Sequence, residues 1–353
     1  MRSPGWAPRE RTAGAAGLAQ RQPDGKGRAV MRWRSAALLS LAVLAAGAAR
    51  AGAEPTEAVA QGVAHDALFA IAFDGANGLA AGAPGRILNS ADGGKSWTAD
   101  AGFPSPLAVL GASLVGDRAL AVGQMGLVAL REGKGGWKKV DSGTGERLMS
   151  VALNHKGLAV AVGSFGAMTK SADGGASWQA VAIDWKPFLS EDQLAQGIQP
   201  HLFAVNVADD GTIIAAGELG LILRSSDGGV SWKAVSNSSK AGTDATVFAL
   251  DLRGDGTGYA VGQDGLALKS TDGGASWSRL NAASSANLLG VRSVGDTVVV
   301  SAMHDMLVSR DAGRTWQRVQ SQDVRSGWYS GVGVSGGSFL AVGHTGRIIK
   351  LNL

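Results

Sequence analysis

AVGQDGLALKSTDGGASW, residues 260–277, is one copy of a unit that recurs along the chain. AAGAPGRILNSADGGKSW (80–97), AVGSFGAMTKSADGGASW (161–178) and AAGELGLILRSSDGGVSW (215–232) share its Gly-x-x-Gly, its apolar positions and its closing octapeptide. Two copies are worn. AVGQMGLVALREGKGGW (121–137) has lost the Asp, and SAMHDMLVSRDAGRTW (301–316) has lost the Gly-x-x-Gly. A seventh, AVGHTGRIIKLNL (341–353), ends before any octapeptide. The unit's Trp residues, 97, 137, 178, 232, 277 and 316, are spaced by 40, 41, 54, 45 and 39. A period of roughly 40–45 residues built from short strands is what a propeller blade needs.

Each unit reads as four strands. In the first, Leu68–Phe73 runs apolar and Asn77-Gly78 is expected to turn the chain. Leu79–Ala81 is short and small-chained, suited to a crowded place near a central axis. Pro84-Gly85 makes a second turn, Arg86–Asn89 a third strand, and Asp92-Gly93-Gly94 leads to a fourth strand containing Trp97. Short apolar runs between Gly turns indicate antiparallel strands. The fold class is therefore all-β: a seven-bladed β-propeller of four-stranded antiparallel blades. Tyr329–Val334, Ser338–Val342 and Arg347–Leu351 give the last blade three strands. Thr56–Ala64 is expected to supply the fourth, pairing with Ile348–Leu351, so that an N-terminal strand closes the ring and leaves no open edge.

The octapeptide reads as a fastener. Asp at a tight turn (Asp92, Asp173, Asp227, Asp272, Asp311) can accept backbone N–H groups two or three residues on. The Gly pair, as at Gly94, supplies positive φ. Ser90 and its equivalents can bond across the turn. Trp97, Trp178, Trp232, Trp277 and Trp316 bury a large surface while keeping an N–H for a partner. A catalytic group is needed once, whereas these recur.

One stretch breaks the period: QAVAIDWKPFLSEDQLAQGIQPHLFAV, residues 179–205. Ser190-Glu191-Asp192-Gln193 has the form of a capping box and predicts a short helix. Long loops on rigid rings tend to carry function, so Trp185, Lys186, Phe188, Leu189 and His201 are the partner-binding candidates. Arg147 and Arg118 would add basic character beside Lys186.

Of 353 residues, 53 are Gly and none is Cys, which excludes disulfides, thiolate metal sites and Cys nucleophiles. Residues 1–30 form an Arg-, Gly- and Pro-rich extension, disordered or preceding a true start at Met31. In residues 31–53, Arg32 and Arg34 precede the apolar run Ala36–Ala46 and small-x-small sites ending at Ala51 and Ala53. This is the order of a secretory signal peptide, with cleavage near Ala51 or Ala53 and a periplasm-like destination. Residues 54–353 then form a single propeller domain. Residues 1–53 hold nine of the 33 Lys and Arg but two of the 29 acids, so the formal charge of +4 becomes −3 beyond them. The basic pI belongs to the leader, and no nucleic-acid partner is implied.

Ser-x-Asp-Gly-Gly-x-Ser/Thr-Trp matches the Asp-box, or BNR repeat. The longer Val-Gly-x-x-Gly-x-Ile/Leu-x-x-Ser-x-Asp-Gly-Gly-x-Ser-Trp resembles the photosystem II stability/assembly factor family, over about residues 63–353. That resemblance implies an exported propeller that binds a membrane-protein client during assembly; the chain is expected to be non-enzymatic and monomeric, with no cofactor and no small-molecule substrate. Relatives in non-photosynthetic bacteria imply an alternative, an accessory factor of a resistance–nodulation–division exporter.

Sialidases also carry Asp-boxes, but that chemistry needs an Arg cluster and a Tyr nucleophile. The chain has two Tyr, Tyr259 and Tyr329, and no Arg-Ile-Pro. His65, His155, His201, His304 and His344 are not spaced as ligand pairs, so no metal is expected. His304 and His344 fall on neighbouring turns, where exposed turn polarity explains them.

Overall fold

A computed structural model describes residues 54–237 and 242–353. The extension and signal-peptide readings of residues 1–53 lie outside the described residues. Seven four-stranded antiparallel sheets follow one another along the chain. The first blade comprises Ala67–Asp74, Asn77–Ala83, Arg86–Ser90 and Thr98–Ala99, in that spatial order. The seventh comprises Tyr329–Ser335, Ser338–Gly343 and Ile348–Leu351, completed by Thr56–Ala60 from the other end of the chain. Thr56 pairs with Leu351, Glu57 with Lys350 and Ala58 with Ile349. The Pro55 and Glu54 carbonyls accept from the Asn352 backbone and side chain. The ring is closed without a covalent link, and Ile348–Leu351 is paired on both sides.

The first strands of successive blades pack around a ring, and their residues line an axial cavity of about 360 Å³. This corrects one expectation. The small-chained second strand is not nearest the axis; it lies between neighbouring blades, with every residue of Ala159–Gly163 and Gly258–Gly262 buried. Both of its faces meet another sheet, which favours an unbroken run of small and β-branched residues over alternation.

Other boundaries shift for local reasons. The first hairpin turns at Gly75-Ala76, with Gly75 at φ +57°, and Asn77 pairs with Asp74. Gly78 sits inside the strand, where a Cβ would stand 2.6 Å from the Phe73 ring. Trp97 precedes the fourth strand. The irregular connection runs from 181 to 201, because Gln179–Ala180 is the outer strand of blade three and Leu202–Val207 the inner strand of blade four. Within it, Glu191–Ala195 is helical, and Ser190 and Gln193 complete a capping box.

Candidate functional site

The two faces of the ring are built differently. On one, octapeptides fold back on their own blade's first hairpin: Gly93 N–H donates to Ala76 O (2.8 Å), Gly174 to Gly157 O (2.8 Å), Gly273 to Gly256 O (2.9 Å) and Ala312 to Asp296 O (2.8 Å). Within the box at 90–97, Asp92 Oδ1 accepts from Ser96 N–H (3.0 Å) and Asp92 Oδ2 from Ser96 Oγ–H (2.6 Å). Ser90 Oγ accepts from Gly94 N–H (2.9 Å), and Trp97 Nε1–H donates to Gly94 O (3.0 Å). The same bonds recur around Asp173, Asp272 and Asp311. Around Asp227 one differs: Trp232 Nε1 is buried and meets no acceptor. The Ser96 hydroxyl and backbone N–H, with Ser90, hold the Asp92 carboxyl down at about 2. Asp272 and Asp311 are held at about 2 by Ser276 and Thr315, and Asp173 and Asp227 are lowered further.

These boxes are also coupled between blades. The residue preceding the box Ser is Lys170, Arg224 or Lys269 in blades three to five. Lys170 Nζ donates to Gly228 O (3.0 Å), Arg224 Nε to Gly273 O (3.2 Å) and Lys269 Nζ to Ala312 O (2.9 Å), each in the next blade's box. Arg118 belongs to this face too. It donates to Asp173 O and pairs with Glu132, so it does not join Lys186. Blade two, whose Asp is missing, borrows Asp100 from blade one: Trp137 Nε1–H donates to its Oδ2 (3.0 Å), and Arg131 pairs with it at 3.2 Å. Burial opposes ionisation of Asp100, but hydrogen bonds from Trp137, Asn89 and Gly102 and the Arg131 charge outweigh it and lower its pKa.

The other face carries the turns between second and third strands and the connections between blades. At the turn apices, Met125, Phe165 and Leu219 of blades two to four adopt φ of +56°, +52° and +59°. Such left-handed backbone costs a non-glycine residue about 1–2 kcal/mol. Met125 is 74% and Phe165 58% exposed. The equivalent residues of blades five to seven are polar: Asp264, His304 and Thr345. One arc of the face is thus apolar and the opposite arc polar.

The 181–201 connection lies on the apolar arc. Trp185 packs against Gly166, so closely that a Cβ there would stand 2.4 Å from its ring. Phe188 meets Trp185 edge-on at 6.4 Å. His201 meets Phe165 edge-on at 4.8 Å, and its backbone N–H donates to Glu218 Oε2. Leu189 is half-buried and Lys186 exposed. Trp185, Phe188 and His201 therefore gather around the Phe165 turn, while Lys186 and Arg147 stand in solvent on this face.

The sequence reading missed the centre of this face. In every blade the first strand carries a β-bulge near its start: between Leu68 and Ala70, Val109 and Gly111, Leu148 and Ser150, Leu202 and Ala204, Val247 and Ala249, Leu288 and Gly290, and Tyr329 and Gly331. The residue before each bulge is fully buried between blades. The bulged residues, Phe69, Leu110, Met149, Phe203, Phe248, Leu289 and Ser330, are half-buried and line the axial cavity. A bulge leaves one residue out of the ladder and re-aims its side chain. In six blades the first Gly of Gly-x-x-Gly lies beside the bulge, while blade six bulges in the same place with Ala302 there. A Cβ on Gly82, Gly123, Gly163, Gly217, Gly262 or Gly343 would stand 1.8–2.0 Å from the carbonyl oxygen just before the fully buried residue of the first strand.

Both Tyr residues are buried between blades, and burial raises their pKa, that of Tyr329 to about 12. His304 Nδ1 lies 3.1 Å from the Arg325 carbonyl, and His344 packs on Trp328 and Tyr329. Among the described residues, no group of three His, Cys, Asp or Glu could hold a metal ion.

Residues 190–286 match the family Photosynthesis system II assembly factor YCF48. Among solved structures, YCF48 bound to D1 peptide is similar with a TM-score of 0.65 at 18% identity, over 84% of this chain and 95% of that one. YCF48 from Cyanidioschyzon merolae gives a TM-score of 0.65 at 18% identity, over 85% of this chain and 100% of that one. The WD40 repeats of RRP9 give 0.65 at 10% identity, over 84% of this chain and 97% of that one. These likenesses establish the propeller fold. No curated protein matches this chain in sequence.

Proposed function

We propose that this chain is a non-catalytic scaffold that binds a segment of a membrane-protein client and assists that protein's assembly or stability. The observation that carries the reading is the apolar arc on one face. Met125, Phe165 and Leu219 hold strained left-handed turns, two of them in solvent, beside a connection that gathers Trp185, Phe188 and His201 around Phe165. Large apolar side chains left together in solvent are a mark of binding surfaces. A propeller of similar fold has been solved with a D1 peptide bound, which supports peptide recognition by a ring of this kind. Both tyrosines are buried, which leaves a tyrosine-nucleophile hydrolase without its reagent. The basic, apolar and small-x-small order of residues 31–53 supports export and a periplasmic place of action.

The test is photo-crosslinking in living cells. Benzoylphenylalanine is placed at Phe165 and, on the octapeptide face, at the exposed Val230. A discrete adduct with a membrane protein from position 165 and none from 230 is expected. No adduct from 165, or the same adducts from both positions, overturns the reading.

A further inference from the structure

We propose that the mouth of the axial cavity is itself a binding site, and that it takes an uncharged, extended peptide segment by its apolar side chains. The proposal deepens the client-binding reading and rests on it. Four observations carry it.

The first is the seven-fold bulge. One bulge is an irregularity, but the same bulge at the same position in every blade places a ring of side chains at one depth. Six of the seven are large and apolar, and none is ionisable. They are half-buried, though the preceding residue in each strand shows that the fold can bury a side chain there completely.

The second is how the one exception is handled. Blade seven carries Ser330, and Trp328 stacks on Phe69 at 5.7 Å with the rings 9° from parallel. The apolar wall is thus continued by a residue from the adjoining connection. Ser330 itself bonds to the Phe69 carbonyl, so a serine fits the bulge.

The third is charge. Among the described residues lining the cavity, Arg292 is the one ionisable side chain, and Asp251 pairs with it at 2.9 Å. A charged guest would lose its hydration and find no counter-ion, which is costly. An uncharged apolar guest releases water from both surfaces. The cavity, about 360 Å³, falls in the range of ligand sites.

The fourth is continuity. Phe248 meets Phe203 edge-on at 5.4 Å, Phe203 lies 6.3 Å from His201, and His201 meets Phe165 at 4.8 Å. A path of rings therefore runs from the cavity mouth to the exposed apolar arc. A client segment held at Phe165 has a continuous track of ring side chains, His201 among them, to the cavity mouth.

The test uses a fluorescein-labelled uncharged decapeptide with three apolar residues at its centre, one of them photo-leucine. A second peptide carries Lys and Glu at those positions. Binding is read by anisotropy with the parent protein and with Phe203→Ser and Phe248→Ser, whose folding is checked by thermal melting. We expect the uncharged peptide to bind and the charged one not to bind. Each substitution should weaken binding at least about tenfold, and the photo-label should fall on residues 202–207 or 247–252. Equal binding of the two peptides overturns the proposal, as does labelling confined to the Phe165 turn. The second outcome leaves the client-binding reading standing, since that reading depends on the adduct formed from position 165 in cells. If both variants unfold, the site of photo-labelling on the parent protein decides alone.

Discussion

Gly217 approaches the His201 carbonyl so closely that a Cβ on it would stand 1.9 Å from that oxygen. This contact joins the end of the 181–201 connection to the turn that follows the second strand, and Phe203 bulges two residues after it. Blade six shows what happens when the Gly is replaced. There Ala302 occupies the position, and the equivalent backbone bond, Met303 N–H to Asn287 O, is 3.4 Å, against 3.0 Å from Glu218 to His201. Gly217→Ala should therefore fold but lose about 2 kcal/mol of stability by urea denaturation, within the range for a strained backbone site. Gly254→Ala, with nothing within 4 Å, should stay within about 0.5 kcal/mol of the parent.

The coupling between blades gives a second prediction. Lys269 bonds to Ala312 O and also lies over the Tyr259 ring at 5.7 Å. Lys269→Met keeps the alkyl stem and removes both interactions, and should cost about 1 kcal/mol. Lys170→Met, which loses the bond to Gly228 O, should cost a similar amount. The two sites share no partner, so the double variant should be additive. A double variant that loses much more than the sum would show that the ring transmits strain between blades.

The octapeptide carboxylates predict a pH dependence with a definite sign. Asp92, Asp272 and Asp311 have folded pKa values near 2, lowered from 3.8. A depressed carboxylate stabilises the fold above its unfolded pKa and loses that contribution as pH falls through the folded value. The melting temperature should therefore be insensitive to these groups from pH 7 to 5 and fall between about pH 4 and pH 2. Asp272→Asn should lower melting at pH 7 and flatten that acid decline. A variant with the full decline would assign it to other groups.

The closing strand predicts a large effect from a small deletion. Removing residues 54–60 strips Ile348–Leu351 of its outer partner and exposes an edge. Melting should become less cooperative and begin at markedly lower temperature. Adding a peptide of sequence EPTEAVA in excess should recover part of the loss, because the edge it would refill is already formed.

The sequence determined the local chemistry of each unit and the number of units. The octapeptide, the Gly-x-x-Gly and the short apolar runs specify turns and strands by local chemistry, and their count and period give seven blades. The unpaired last unit demanded a closing strand, and Thr56–Ala60 supplies it. The break in the period located the connection that packs around Phe165. Turn positions were less legible: Asn77-Gly78 reads as a turn by composition, yet Gly78 is needed in the strand because Phe73 lies over it. The couplings and the cavity mouth were decided by tertiary structure. Lys269 and Ala312 are 43 residues apart in sequence, and neither residue alone marks the other as its partner. Phe69, Phe203 and Phe248 look like ordinary strand residues until the strand bulges beside the first Gly of the turn, where a carbonyl comes in close. The Gly is visible in every good copy of the repeat, but its effect depends on a backbone that approaches it from outside the unit, from the connection that leads into the blade.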